Sequence, residues 1–183
     1  MIFEALWNKS ISSDEKIKEI EDGIQPHVIE IIRDSNEFQK LGVKLTTSAR
    51  EEILALFSTA NVLYRTSKWL DVNLIGRELV HKYGTKVRVL TPFSDWVKQQ
   101  LQEWGEFADI RFIPEELQTY MTENRVLLLY ELKDDSKAST LESVGLVTYS
   151  NSPSTISSYV SIFENELRTR KEIDKGKLSA VNE

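Results

Sequence analysis

Cysteine is missing from all 183 residues. Its absence excludes thiol catalysis, disulfide staples and cysteine-built metal sites, and it fits a cytoplasmic protein. Histidine is nearly as scarce, with His27 and His81 the two present. A catalytic or metal role needs partner groups that neither has nearby in sequence. His27 therefore reads as a helix-start residue beside Pro26, and His81 as a residue near a helix end, where a cation suits the dipole. A His-Glu-x-x-His pair, a glycine-rich phosphate loop and a Gly-x-Ser-x-Gly elbow are all missing. No window approaches the ~18 consecutive apolar residues of a membrane span, and the N-terminus lacks the basic-then-apolar pattern of a secretory signal. Positive charge is in deficit: the net charge is -6 and the pI about 5.2. A general attraction to nucleic acid or acidic membranes is thus not expected. Adjacent acids occur at Glu51–Glu52, Glu115–Glu116 and Asp134–Asp135, but a hard-cation site needs more ligands than one such pair. Neither a metal nor a cofactor is expected.

What is present is ordinary globular material, 40% hydrophobic and 28% charged, in a length that suits one domain with an appended arm. Residues 1–50 read as a helical arm. Ser12 and Glu15 have capping-box spacing, and Ile17, Ile20, Ile24, Val28 and Ile31 form one apolar stripe, interrupted at Gly23 and Pro26. The stripe either docks on its own domain or pairs with a second copy, making a homodimer through helical arms. Residues 51–171 then alternate strands and helices. "EILALFS" (Glu52–Ser58), "KVRVLTP" (Lys86–Pro92) and "ADIRFIP" (Ala108–Pro114) read as buried strands. "KWLDVNLIGRELVHKYG" (Lys68–Gly84) reads as a helix stopping at Gly84. "FSDWVKQQLQEWGE" reads as a helix capped by Ser94, with Trp96, Val97, Leu101 and Trp104 inward. "RVLLLYELK" and "VGLVTYS" are two more strands, followed by a closing helix from Pro153 to Lys171. Residues 172–183 are a polar tail. Strand–helix alternation of this kind predicts an α/β fold with a mostly parallel mixed sheet flanked by helices.

The strings "LWNKSISSDEKIKEIEDG", "AREEILALFSTAN", "KYGTKVRVLTP", "ADIRFIP", "VLLLYELKDDSK" and "GLVTYSNSPSTISSYVSIFENEL" occur in this order. Together they resemble the input domain of archaeal sensor histidine kinases, which belongs to the phospholipase-D-like group. That resemblance implies a mixed sheet between helices. It also implies where chemistry would sit, because catalytic members carry His-x-Lys-x4-Asp just before a hydrophobic strand. Setting Glu123 at the aspartate places Glu116 at the histidine and Gln118 at the lysine. A carboxylate repels a phosphodiester, and glutamine brings no positive charge. No histidine or lysine lies between Lys98 and Lys133, so shifting the register does not help. On this reading the chain is not an enzyme. "NELRTR" (Asn165–Arg170) resembles a kinase phosphoacceptor box, but Asn165 replaces the histidine and Arg170 the proline, so it reads as coincidence.

A ligand site is expected beyond the carboxyl ends of the strands, as in open α/β sheets. The candidates there are Ser58, Thr59, Asn61, Thr91, Glu116, Gln118, Tyr149 and Asn151, with Arg65 and Lys68 adding positive charge. Turn and helix-cap duties explain the same hydroxyl and amide groups without a ligand. The resemblance implies a cytoplasmic two-component sensory domain, with no nucleic-acid partner and no membrane insertion. It would respond to a small polar ligand or a protein signal and act on the kinase module of its parent. The alternatives are a phosphodiesterase with a degenerate site and the effector-binding domain of a transcription regulator.

Overall fold

A computed structural model describes residues 27–113, 120–123 and 126–169. The expected capping box at Ser12–Glu15, the stripe from Ile17 to Ile24 with any dimer pairing through it, and the tail all lie outside them. Among the described residues seven strands form one sheet. The chain runs β1 (Ile29–Ile32), α1 (Ser35–Ser48), β2 (Glu52–Leu56), α2 (Ala60–Trp69) and α3 (Val72–Glu78). It continues with β3 (Lys86–Thr91), α4 (Asp95–Trp104), β4 (Ala108–Phe112), β5 (Tyr120–Glu123) and β6 (Val126–Leu132), then α5 (Thr140–Ser143), β7 (Val144–Ser150) and α6 (Pro153–Thr169).

Short polar side chains start the helices. Asp34 accepts from Asn36 N at 2.7 Å, Thr59 from Val62 N at 3.2 Å and Ser94 from Val97 N at 3.1 Å. The expected long helix from Lys68 is broken, because Leu70 ends α2 and Asp71 caps α3 through Leu74 N. A π-helical turn over Leu79–Tyr83 then carries the chain to Gly84, whose φ of 69° needs glycine, as the sequence predicts.

The sheet order is β1-β7-β6-β5-β2-β3-β4. β2, β3 and β4 are parallel neighbours, while the pairs β2–β5, β5–β6, β6–β7 and β7–β1 are antiparallel. The expected α/β class holds, but the mostly parallel sheet does not: antiparallel pairs dominate. Two features account for the difference. The polar-looking "TYMTE" contributes β5, which returns between β2 and β6. "IEII", expected in the helical arm, is instead edge strand β1, held by Asn151.

Helices α1 to α4 cover one face, burying Phe38, Leu45, Leu63, Val97, Leu101 and Trp104 against Ala55, Ile110, Leu128 and Val147. Helix α6 covers the other, setting Ile156, Phe163 and Leu167 on Leu54, Leu56, Leu90, Tyr120 and Leu127. β2 is buried on both sides, which explains its unbroken apolar run. No described helix is long and apolar enough to cross a membrane.

Candidate functional site

The parallel strands and β6 end at the same edge of the sheet, and three polar residues meet there around Asp135. Thr59 Oγ1 donates to Asp135 Oδ1 at 3.0 Å and Asn61 Nδ2 to Asp135 Oδ2 at 2.9 Å. Arg65 Nη2 donates to Oδ1 at 2.6 Å, and Arg65 Nη1 to the carbonyls of Asp135 and Lys137, each at 3.0 Å. The Arg65 side chain is 5% exposed and the Asp135 side chain 31%, so a buried guanidinium meets a carboxylate that still touches solvent. It clasps the β6–α5 loop onto the start of α2. Of the predicted site residues, Thr59 and Asn61 are therefore already engaged by a carboxylate of the chain itself. Thr91 lies fully buried at the end of β3, donating to Pro92 O at 3.3 Å. Ser58 sits half-buried beside them and is also engaged.

Tyr149 and Asn151 are elsewhere. β7 runs antiparallel to β6, so its carboxyl end reaches the opposite edge of the sheet. There Asn151 Oδ1 accepts from Val28 N at 2.6 Å, and Asn151 N donates to Val28 O at 3.2 Å, fixing β1. Tyr149 packs half-buried against the larger core. Glu123 ends β5 at that same far edge, with its side chain buried. Glu116 and Gln118 lie outside the described residues. The sequence-predicted set thus divides between two edges, because the expectation assumed parallel strands throughout.

Charge also ties α6 to the sheet. Arg88 on β3 pairs with Glu52 at 2.9 Å and Glu164 at 2.5 Å. The hydrogen bond from Arg88 holds the Glu164 carboxyl below the usual carboxylate range. Arg111 on β4 donates to Leu167 O at 2.7 Å, and Tyr120 on β5 donates its hydroxyl to Tyr159 O at 3.1 Å. Burial pushes the Tyr120 phenol up. His27 and His81 are exposed, and among the described residues no three acidic or histidine side chains cluster as metal ligands do.

Sequence reasoning missed a cleft in the helical layer. It has a volume of about 520 Å³ and lies between the end of α2, the start of α3 and one face of α4. Lys68, Trp69 and Asn73 face Trp96, Gln100 and Trp104 across it. The last three recur every fourth residue along α4, so they share a face. That spacing was the available signal, but it also fits a core stripe. Trp104 indeed belongs to the core, at 3% exposure.

The seven-stranded mixed sheet between helical layers, with the order above, is a phospholipase-D-like α/β fold. Several solved structures share it. "TrmBL2, an archaeal chromatin protein" with "a novel mode of DNA binding" aligns over 94% of this chain at a TM-score of 0.58 and 11% identity, and the chain spans 65% of that protein. NucT from Helicobacter pylori aligns over 81% of this chain and all of its own, at 0.56 and 12% identity. Nuc from Salmonella typhimurium, a phospholipase D family member, aligns over 82% of this chain and all of its own, at 0.56 and 13% identity. No protein-family model matches the sequence, and no curated protein matches it.

Two expectations are corrected by these likenesses. The conclusion that the chain is not an enzyme fails, because its fold is that of phospholipase D family members such as Nuc. Missing histidine and lysine at one aligned motif test a single arrangement of catalytic groups, and a fold hosts many. The exclusion of a nucleic-acid partner fails as well, because the same fold occurs in a DNA-binding chromatin protein. A net charge averages over the whole surface and does not forbid a local contact.

Proposed function

We propose that this chain is a sensory or regulatory input domain of a signal-transduction histidine kinase, with the parent's kinase module supplying ATP and phosphoryl transfer. One observation carries the reading: α6 is bonded to β3, β4 and β5 through Arg88–Glu164, Arg111–Leu167 and Tyr120–Tyr159. A rearrangement of the sheet therefore moves α6. A ligand or protein signal that prefers one arrangement shifts the population, and α6 passes that preference on. The Asp135 clasp supplies a second state, since an incoming anionic or polar group competes with the Asp135 carboxylate for Thr59, Asn61 and Arg65. Ser58 and Thr91 border that edge. Glu116, Gln118, Tyr149 and Asn151 complete the candidate set, the last two acting from the opposite edge through β1 and β7.

Autophosphorylation of the polypeptide carrying this domain, wild type against Arg111→Ala, tests the reading. Coupling through α6 predicts a several-fold change in rate in the variant. An unchanged rate, or a parent without a kinase, overturns it. Because the fold is shared with Nuc and TrmBL2, duplex DNA retention and turnover of a chromogenic phosphodiester are the competing assays. Clear turnover moves the reading to a phosphodiesterase. Retention of DNA moves it to the domain of a transcription or chromatin protein.

A further inference from the structure

A pocket of about 60 Å³ lies between α3 and the parallel strands, and the surface it presents is apolar. Protein interiors rarely keep a void larger than one water, whose share of liquid volume is about 30 Å³. Val87 and Val89 sit on β3, paired on both sides and facing the helical layer, yet both are only half-buried. Ala108 on β4 and Val72 and Ile75 on α3 are half-buried as well and border the same space. Their remaining accessible surface is therefore within reach of an incoming molecule. Local chemistry keeps the space open. Gly76 seats the Phe107 ring against α3, since a Cβ there would lie 2.3 Å from that ring. Ala55 and Ala108 put short side chains on the strands opposite. α3 then runs into the π-helical turn Leu79–Tyr83, a rare winding that is frequent at functional sites. Thr46, on the α1 side, gives its hydroxyl to Gly42 O at 2.8 Å.

Water gains little in such a space, because it needs two to four polar partners and an apolar wall offers none. The lining atoms lack contacts on their open side, and a polarizable, uncharged guest restores them without desolvating a charge. We propose that this pocket binds a small apolar molecule of roughly two or three heavy atoms, a dissolved gas or a light hydrocarbon. Size and the want of hydrogen-bonding groups keep out sugars, peptides and organic anions. Occupancy stabilises the folded chain by mass action. The site is separate from the Asp135 clasp, and its binding does not rest on the sensory reading.

Methyl NMR of the purified chain reads the site at Ile53, Leu79 and Val87, which all border it. The chain is equilibrated with xenon, with cyclopropane, with helium as a pressure control and with methanol as a small polar molecule. Saturable shifts at those methyls are expected with xenon and cyclopropane, and none with helium or methanol. Val89→Ile adds one methylene to the wall and should weaken both guests about tenfold without lowering Tm. Gly76→Ala, which displaces the Phe107 ring toward the pocket, should abolish the shifts, and Val89→Ile decides the matter if that variant misfolds. No saturable shift with either gas, an equal shift with methanol, or wild-type affinity in Val89→Ile would overturn the proposal. The two readings fail separately. If neither gas binds while Arg111→Ala alters autophosphorylation, the pocket falls and the sensory role stands. Saturable binding with an unchanged autophosphorylation rate keeps the pocket and removes the role.

Discussion

The two halves of the sheet are built differently. β2, β3 and β4 are parallel, so helical crossovers join them and cover the face that α1 to α4 pack on. β5, β6, β7 and β1 are antiparallel, and β5 and β6 pair as close neighbours along the chain. The consequence appears on the face that carries α6. Pairing places Ile29 and Ile31 on the same side as Leu127 and Leu129, yet they remain 65% and 54% exposed. α6 seals the junction of the halves and stops short of the edge. Crossovers bring their own cover, whereas hairpins depend on an element from elsewhere in the chain.

The largest test removes that cover. Phe163 is fully buried among Leu54, Leu56 and Leu90 of the parallel half and Tyr120 and Leu127 of the other. Phe163→Ala should cost about 3–5 kcal/mol in urea unfolding, from lost transfer energy and the cavity left behind. Ile31→Thr at the uncovered edge should cost under about 0.5 kcal/mol. Similar losses at the two positions would mean that the edge is covered after all. Next in size is the clasp between the halves. Asp135→Ala leaves the Arg65 guanidinium, 5% exposed, with two carbonyls and no counter-charge, a loss of about 3 kcal/mol. Because the guanidinium left behind is itself buried, most of the loss should persist in high salt. A loss that vanishes at 1 M salt (about a 3 Å screening length) would show the clasp to be a surface contact.

The parallel half was the legible one. "EILALFS", "KVRVLTP" and "ADIRFIP" are continuous apolar runs separated by helix-length segments, and that pattern has few other readings. Ser94 and Gly84 marked a helix start and end through their local chemistry alone. The antiparallel half hid its signal. β5 is four residues long, and its Thr122 and Glu123 are polar yet buried, so alternation could not reveal it. Glu30 breaks "IEII", which at 3–4 spacing mimicked the helical stripe preceding it. β7 runs antiparallel to β6 where a parallel strand was expected, and so Tyr149 and Asn151 were assigned to the wrong edge. The clasp was half legible: Thr59, Asn61 and Arg65 were singled out, while Asp135 stood 70 positions from Arg65 and was read only as part of an acidic pair. Distance along the chain, not residue type, concealed the contact.

Two glycines sharpen the contrast between the halves. A Cβ at Gly76, on the crossover helix α3, would approach the Phe107 ring to 2.3 Å. Phe107 must then move, and a cavity of about 60 Å³ bordered by both residues gives it somewhere to go. Gly76→Ala should cost about 1–3 kcal/mol. At Gly145 on β7 the nearest atom is Glu131 Oε2 at 3.5 Å, an ordinary contact. Gly145→Ala should stay within about 0.5 kcal/mol of wild type in the same urea assay. An equal cost would place a second tightly packed layer over the antiparallel half.

The smallest effect concerns how α6 is held over the parallel strands. The hydrogen bond from Arg88 keeps the Glu164 carboxyl depressed below its ordinary value of 4.5. A carboxylate with a depressed folded pKa contributes stability above its unfolded pKa and loses it as pH falls toward the folded value. The bond should therefore strengthen the fold near neutrality and fade below about pH 4.5. The Glu164 side chain is 38% exposed, and Arg88 keeps Glu52 at 2.9 Å when Glu164 is protonated. Solvent screening and that second partner hold the contribution under about 1 kcal/mol. Urea midpoints for wild type and Glu164→Gln should differ at about pH 7 and draw together as the pH falls below about 4.5. A gap that stays constant across that range would mean that α6 is held by Phe163 and Leu167 alone, with the Arg88 pair contributing only position.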